Sequence, residues 1–341
     1  MRAFPRGRRG WLRAALVTTA PLAMLLGLAM FTTRMPGRSH QGPLPPLDRE
    51  TTLLRERLRS HVEVLAGRIG ERNLWRPEAL AEAARYVEDA FRSSGHEVHS
   101  QAFTVEGRAV RNLEVRLPGA ARPDEVVVVG AHYDSVLGSP GADDNATGVA
   151  ALLEIARAGG GRRPSRTLHL VAFVNEEPPF FLGEDMGSLR YARRLREEGR
   201  DVVAMLSLET IGYYSDRLGS QHYPFPFRLF YPDRGDFLGV VGNTASRALV
   251  RRTVASLRRH ATLPAEGLAA PGWITGVGWS DHWSFWQHGY PAAMVTDTAL
   301  FRYPHYHAPT DLPPEVDYDR HARAVAGLIA VVGDLCEADP P

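Results

Sequence analysis

Val126-Val127-Val128-Val129-Gly130-Ala131-His132-Tyr133-Asp134 is the stretch whose reading decides the fold. Four consecutive valines leave no polar face, so the strand they form suits burial on both sides, as in a parallel sheet covered by helices. Polar residues arrive only after the apolar run. His132 and Asp134 stand two apart, and in an extended segment both side chains point the same way. In such sheets ligands bind beyond the carboxyl ends of the strands, which is where this pair lies.

Outward from this strand the apolar pattern recurs at residues 168–174, 203–208 and 292–295, while 99–105 and 113–117 read as an antiparallel pair. Helical periodicity covers 48–66, 77–94, 148–157, 186–198, 242–260 and 316–335, with Asp48 as an N-cap. Together these predict an α/β fold with a mixed, mostly parallel central sheet and helices on both faces. The segment 213–235, rich in Tyr, Phe and Pro, is expected to form a long surface loop.

The 341 residues divide unevenly. Arg2, Arg6, Arg8, Arg9 and Arg13 precede an apolar stretch, 14–31, whose 18 residues would span about 27 Å as a helix. Residues 1–35 are therefore expected to be a signal anchor or signal peptide, and Arg8-Arg9 also fits a twin-arginine export signal. The excess of arginine before the stretch orients the N-terminus to the cytoplasm and the body outside it, membrane-anchored or exported. Residues 36–47 read as a Pro/Gly linker and 48–338 as one domain. All 40 basic residues are arginine, and the formal charge of +1 speaks against a nucleic-acid partner. Cys336 stands alone, which excludes an internal disulfide and leaves His and carboxylates as the only ligands for a metal.

Five motifs carry chemistry: His132-x-Asp134, Asp144 within Gly141-Ala142-Asp143-Asp144-Asn145-Ala146-Thr147-Gly148, Glu176-Glu177, Glu209, and Tyr306-His307. Singly, each has an ordinary reading: a loop histidine, a helix N-cap, a solvated acid pair. Jointly they do not, because most follow a predicted strand and converge at one sheet edge. Adjacent carboxylates such as Glu176 and Glu177 raise each other's pKa in a dry crevice, and a metal held by one leaves the other free as a proton shuttle. Asp134 is expected to orient His132 through its second ring nitrogen.

In this ordered set the chain resembles the co-catalytic zinc aminopeptidases, a family that includes glutamate carboxypeptidase II, over nearly all of 48–337. The resemblance implies an exopeptidase using two zinc ions. Asp144 bridges them, His132 and Glu209 hold one, and Glu177 and His307 hold the other. A water between the ions attacks the peptide carbonyl, Glu176 is the general base, and Tyr306 stabilises the oxyanion. The expected substrate is a peptide or a small peptide-like molecule, attacked at its amino end or, as an alternative, its carboxyl end.

Several positions depart from the pattern. Glu209 stands where many members carry Asp. Pro178-Pro179-Phe180-Phe181 interrupts a Gly-rich segment and is expected to reshape the pocket mouth, with Glu184 or Asp185 near a substrate amine. Ser280-Asp281-His282 resembles a family segment near the site, which makes Asp281 and His282 candidates for supporting or substrate-side roles. Two other readings share the fold: a single-zinc glutaminyl cyclase, against which the intact His132 speaks, and a non-catalytic receptor-like ectodomain.

Overall fold

The computed structural model describes residues 24, 27, 29–161 and 163–337. Its helices are α1 (Arg49–Val62), α2 (Pro77–Ser93), α3 (Gly148–Gly159), α4 (Gly187–Glu197), α5 (Arg247–His260), α6 (His282–Gln287) and α7 (Tyr318–Cys336). Its strands are β1 (Val98–Val105), β2 (Arg108–Leu117), β3 (Arg122–His132), β4 (Arg166–Phe173), β5 (Asp201–Glu209), β6 (Leu238–Gly242), β7 (Ala265–Ala269) and β8 (Ala292–Thr296). They form one sheet in the order β1-β2-β4-β3-β5-β8-β6-β7.

The four-valine strand is β3, buried from Val126 to His132. Neighbours β4, β5 and β8 continue it in parallel, while β1, β2 and β6 introduce antiparallel pairs. Pleating sends Val127 and Val129 into the larger core with α1, α2, α3, α5 and α7, and Val126 and Val128 into the smaller core with α4 and α6. Each such side chain contributes about 1.5–3 kcal/mol by leaving water. Helices therefore cover both faces, as the sequence predicts. The chain leaves β3 for β4 on one side and then takes β5 on the other, so the strand order reverses at β3 and opens a crevice there.

Differences from the expected elements are local. The helix expected from 242 begins at Arg247, because Leu238–Gly242 is strand β6 and the Asn243 side chain closes the intervening turn by accepting from Ser246 N at 2.8 Å. Strand β7, Ala-Glu-Gly-Leu-Ala, contains no β-branched residue and gives no strand signal. Asp48 does cap α1, accepting from Thr51 N at 2.7 Å, but the α-helix gives way after Val62 to a π-type turn, Glu63–Ile69. Within 213–235 the regular structure is one short turn, Phe227–Leu229, and an isolated bridge, Ser215 to Gly235. Among the described residues no helix is long and apolar enough to cross a membrane, and most of stretch 14–31 lies outside them. The expected linker is not free: Ser39, Pro36 and Gly37 are hydrogen-bonded to β7 and to Arg258 of α5.

His321 of α7 is fully buried and donates from Nε2 to Thr147 O at 3.2 Å, tying α7 to the start of α3. Burial pushes its pKa down to about 4 from an ordinary 6.5. The neutral ring thus contributes stability that is complete above pH 6.5 and is lost as pH falls towards 4. Wild type should exceed His321→Gln in urea midpoint at pH 7, and the gap should close by pH 4.5.

Candidate active site

The site lies where β3, β4 and β5 end. His132 closes β3, Glu209 closes β5, and Glu176 and Glu177 follow β4. His307 comes from the loop after β8, and Asp144 from the turn before α3. Gly148 lets that turn approach β5: a Cβ there would lie 2.3 Å from Asn145 Oδ1 and 2.5 Å from Leu208 O.

Asp144 is the centre of the arrangement. Its Oδ1 lies 3.2 Å from His132 Nε2 and its Oδ2 lies 3.1 Å from His307 Nε2. Glu209 Oε2 approaches His132 Nε2 to 3.3 Å, and Glu177 Oε2 approaches His307 Nε2 to 3.2 Å. Two donor sets result, His132–Asp144–Glu209 and Asp144–Glu177–His307, each with its ligand atoms within 4.8 Å of one another. Glu176 Oε2 stands 3.9 Å from His132 Nε2. All these groups are buried except His307, whose side chain is 30 % exposed.

Main-chain donors hold the acids in place. The Asp134 carboxylate accepts from the N–H groups of Glu176 and Glu177, both at 3.2 Å, and Asp311 accepts from Asp143 N at 2.8 Å and Asp144 N at 3.1 Å. Asp134 thus acts differently from the expectation: the nearest partner of His132 Nδ1 is the Asp134 carbonyl, at 3.2 Å, with the carboxylate at 3.7 Å. Asn145 accepts from Gly148 N and Thr210 N and donates to Leu208 O, so it, and not Asp144, caps α3. Buried Arg72 donates to the carbonyls of Tyr133, Pro140 and Gly141, bracing the loops that carry Asp134 and Asp144. Three non-glycine residues with left-handed backbone adjoin the acids: Asn175 before Glu176, Thr210 after Glu209, and His307 itself. Strain of this kind concentrates at functional sites.

The electrostatics are those of crowded acids. Burial and the Asp144 charge push Glu177 up to about 7, with His307 holding it back. Burial, followed by Glu209, Glu177 and Asp281, drives Glu176 well above the carboxylate range against the pull of His132. Burial opposes ionisation of Asp144 too, but the flanking imidazoles of His132 and His307 outweigh it and hold that carboxyl well below its ordinary value. Burial disfavours the charged imidazole of His307, yet Asp144 and Glu177 raise it to about 10. His132 is likewise raised, against burial, by Glu209 and Glu176. A metal cation in each donor set would neutralise these acids in place of imidazole protons. Meanwhile His132 Nε2, Asp144 Oδ1 and Glu177 Oε1 are buried without a hydrogen-bond partner. These residues fit a cation in each donor set.

The remaining candidates divide. Asp281 is fully buried near the cluster and is raised to about 7 by burial, with His132 opposing. His282 is not aimed at the acids: its Nε2 donates to Val277 O at 2.8 Å and its ring meets Trp286 edge-on. The neighbour that touches the site is Ser280, which donates to Glu209 Oε2 at 2.8 Å. Glu184 and Asp185 are paired with Arg193 and Arg190 and do not line the cavity beside Glu209. Phe180 of the Pro-Pro-Phe-Phe insertion turns into the core and stacks on Trp75. Tyr306 stacks on His307 with ring centroids 3.9 Å apart, and burial and the surrounding acids raise its phenol well above 10. Glu209 and Tyr306 form one end of an open cavity walled by Tyr223, Phe227, Tyr231, Leu268, Ile274 and Trp279. Sequence reasoning missed Asp311, Asn145 and Arg72 as supports, since an isolated Asp, Asn or Arg in a loop carries no periodic signal.

Residues 112–332 match Peptidase family M28, and the chain belongs to that family. It is 39 % identical to the uncharacterized protein YfbL of Escherichia coli (strain K12) over 286 residues, covering 81 % of this chain and 87 % of that one. A probable leucine aminopeptidase of Trichophyton verrucosum is 27 % identical over 239 residues, covering 65 % of this chain and 57 % of the relative. Among solved structures, the zinc aminopeptidase BSAP of Bacillus subtilis superposes with a TM-score of 0.64 at 16 % identity, over 87 % of this chain and 97 % of that one. The glutaminyl cyclase of Fimbriiglobus ruber superposes at 0.58 and 19 % identity, over 86 % and 97 %. These two share the fold.

Replacing Asp311 with Asn removes one charged acceptor beneath Asp143 and Asp144. Zinc affinity, measured by competition with a chelator, should fall by about 10–100-fold.

Proposed function

We propose that the chain is a zinc-dependent exopeptidase that removes residues from the amino end of peptides. The observation that carries this reading is the shared carboxylate: Asp144 presents one oxygen to each of two donor sets. In this reading His132 and Glu209 hold one zinc ion, Glu177 and His307 the other, and Asp144 both. When bound, zinc supplies Lewis acidity that lowers the pKa of water and polarises the scissile carbonyl.

The residues around it do the rest. Glu176 has no competing ligand role, and its raised pKa matches a group that takes a proton from the attacking water and returns it to the leaving amine. Tyr306, protonated throughout the working pH range, donates its O–H to the oxyanion forming on the substrate. The apolar cavity beside it receives the side chain of the terminal residue. Its lining includes no Arg, Lys or His, so nothing in it would pair with a free substrate carboxylate.

Glu176→Gln should lower kcat on amino-acid nitroanilides by about 10³-fold or more with zinc still bound. Asp144→Asn should lose zinc from both sets. Metal analysis of the wild type should give two zinc ions per chain; one, with cyclisation of N-terminal Gln, would support a cyclase instead. Full activity in Glu176→Gln would remove the proposed base.

A further inference from the structure

The far wall of the apolar cavity is made by Glu266, the main chain of Gly267 and Leu268 of β7. Among the described residues this strand ends the sheet, and its one strand neighbour is β6. An uncovered edge strand is free to fray or to pair with another chain. Here the cover comes from the opposite end of the sequence.

Residues 31–39 run along β7 and α5. The Ser39 hydroxyl donates to Ala265 O at 3.1 Å and accepts from Ala265 N at 2.9 Å, satisfying both main-chain groups at the start of the edge strand. Arg258 ties the two segments together. Its Nη1 donates to Pro36 O and Gly37 O, its Nε to Ala265 O at 2.9 Å, and its Nη2 to Glu266 Oε2 at 2.8 Å. Farther back, Arg247 donates to Phe31 O at 2.7 Å and covers the Phe31 ring, and Arg251 donates to Arg34 O. Met35 packs against Gly267, where a Cβ would meet Val254 at 2.7 Å and Met35 at 3.0 Å. A glycine inside a strand marks such a close approach. Burial alternates along β7, so Ala265, Gly267 and Ala269 face the helix and Met35, whereas Glu266 and Leu268 face the cavity.

We propose that residues 31–39 are a specificity element of the active site, a strap that fixes β7 from behind and thereby sets the cavity's width for the terminal side chain. The proposal rests on the assignment of that cavity to the terminal side chain. Met35 and Ser39 are positioning residues, acting through β7 and touching no substrate.

The test uses the full-length, zinc-loaded protein with Met35→Asp and Ser39→Ala combined, and Met35→Leu as the conservative control. Amide hydrogen exchange at 265–269 should accelerate by about tenfold or more in the double variant while the amides of β3 and β5 keep their protection. KM for nitroanilides of Phe and Leu should rise by about 5–10-fold, with kcat and the KM for the Ala nitroanilide within about twofold of wild type. Met35→Leu should leave both readouts at wild-type values. Unchanged exchange at β7 would overturn the strap. An equal loss on Phe, Leu and Ala substrates would overturn its role in selection. If the wild type cleaves no peptide, the peptidase reading fails, and the exchange of β7 still decides whether the strap holds it.

Discussion

Repulsion among buried carboxylates is the constraint around which this molecule is built. Asp134, Asp144, Glu176, Glu177, Glu209, Asp281 and Asp311 are all buried at one edge of one sheet. Burial disfavours the charged form of Asp144, Glu176, Glu177, Glu209, Asp281 and Asp311, and their proximity adds to it. Two of them, Asp134 and Asp311, are spent on main-chain N–H groups, and Arg72 is fully buried beneath the same loops. What remains is a cluster of acids facing two imidazoles and calling for cations. The twofold use of Asp144 follows from the same economy, since one carboxylate between two positive centres adds half the repulsion of two carboxylates.

Much of this could be read from the residues because burial on both faces leaves an unmistakable trace. The run Val126–Val129 can only be interior, and the polar residues that end such runs can only lie at the sheet's carboxyl edge. That logic brought His132, Glu176, Glu177 and Glu209 together before any coordinate did. It failed where the signal is neither periodic nor apolar. Strand β7 is five residues of mostly small side chains, and β6 runs into α5 through a short turn, so strand and helix merge in the sequence. The hydrogen-bond roles of Asp134, Ser280 and Asp311 depend on which loop amides fold towards them. Spacing places His282 beside the site; the direction of its ring, towards Val277 and Trp286, is a matter of packing.

The cavity illustrates how distant segments acquire a common task. Its aromatic wall comes from the irregular stretch 213–235, its acid end from β5 and the His307 loop, and its outer wall from the last strand of the sheet. None of these is distinctive alone. A Pro/Gly-rich segment near the N-terminus reads as a tether by composition, yet Arg258 and the open edge of β7 offer its carbonyls and hydroxyl a full set of partners.

Asp134 and Asp311 each grip two consecutive amides, so the shape of the donor cage is drawn by the polypeptide itself. In small zinc domains the ion organises the chain and its removal is unfolding. Here the amides that hold Asp134 and Asp311 belong to the chain itself, so the loops carrying Asp144, Glu176 and Glu177 are fixed by contacts in which no ion takes part.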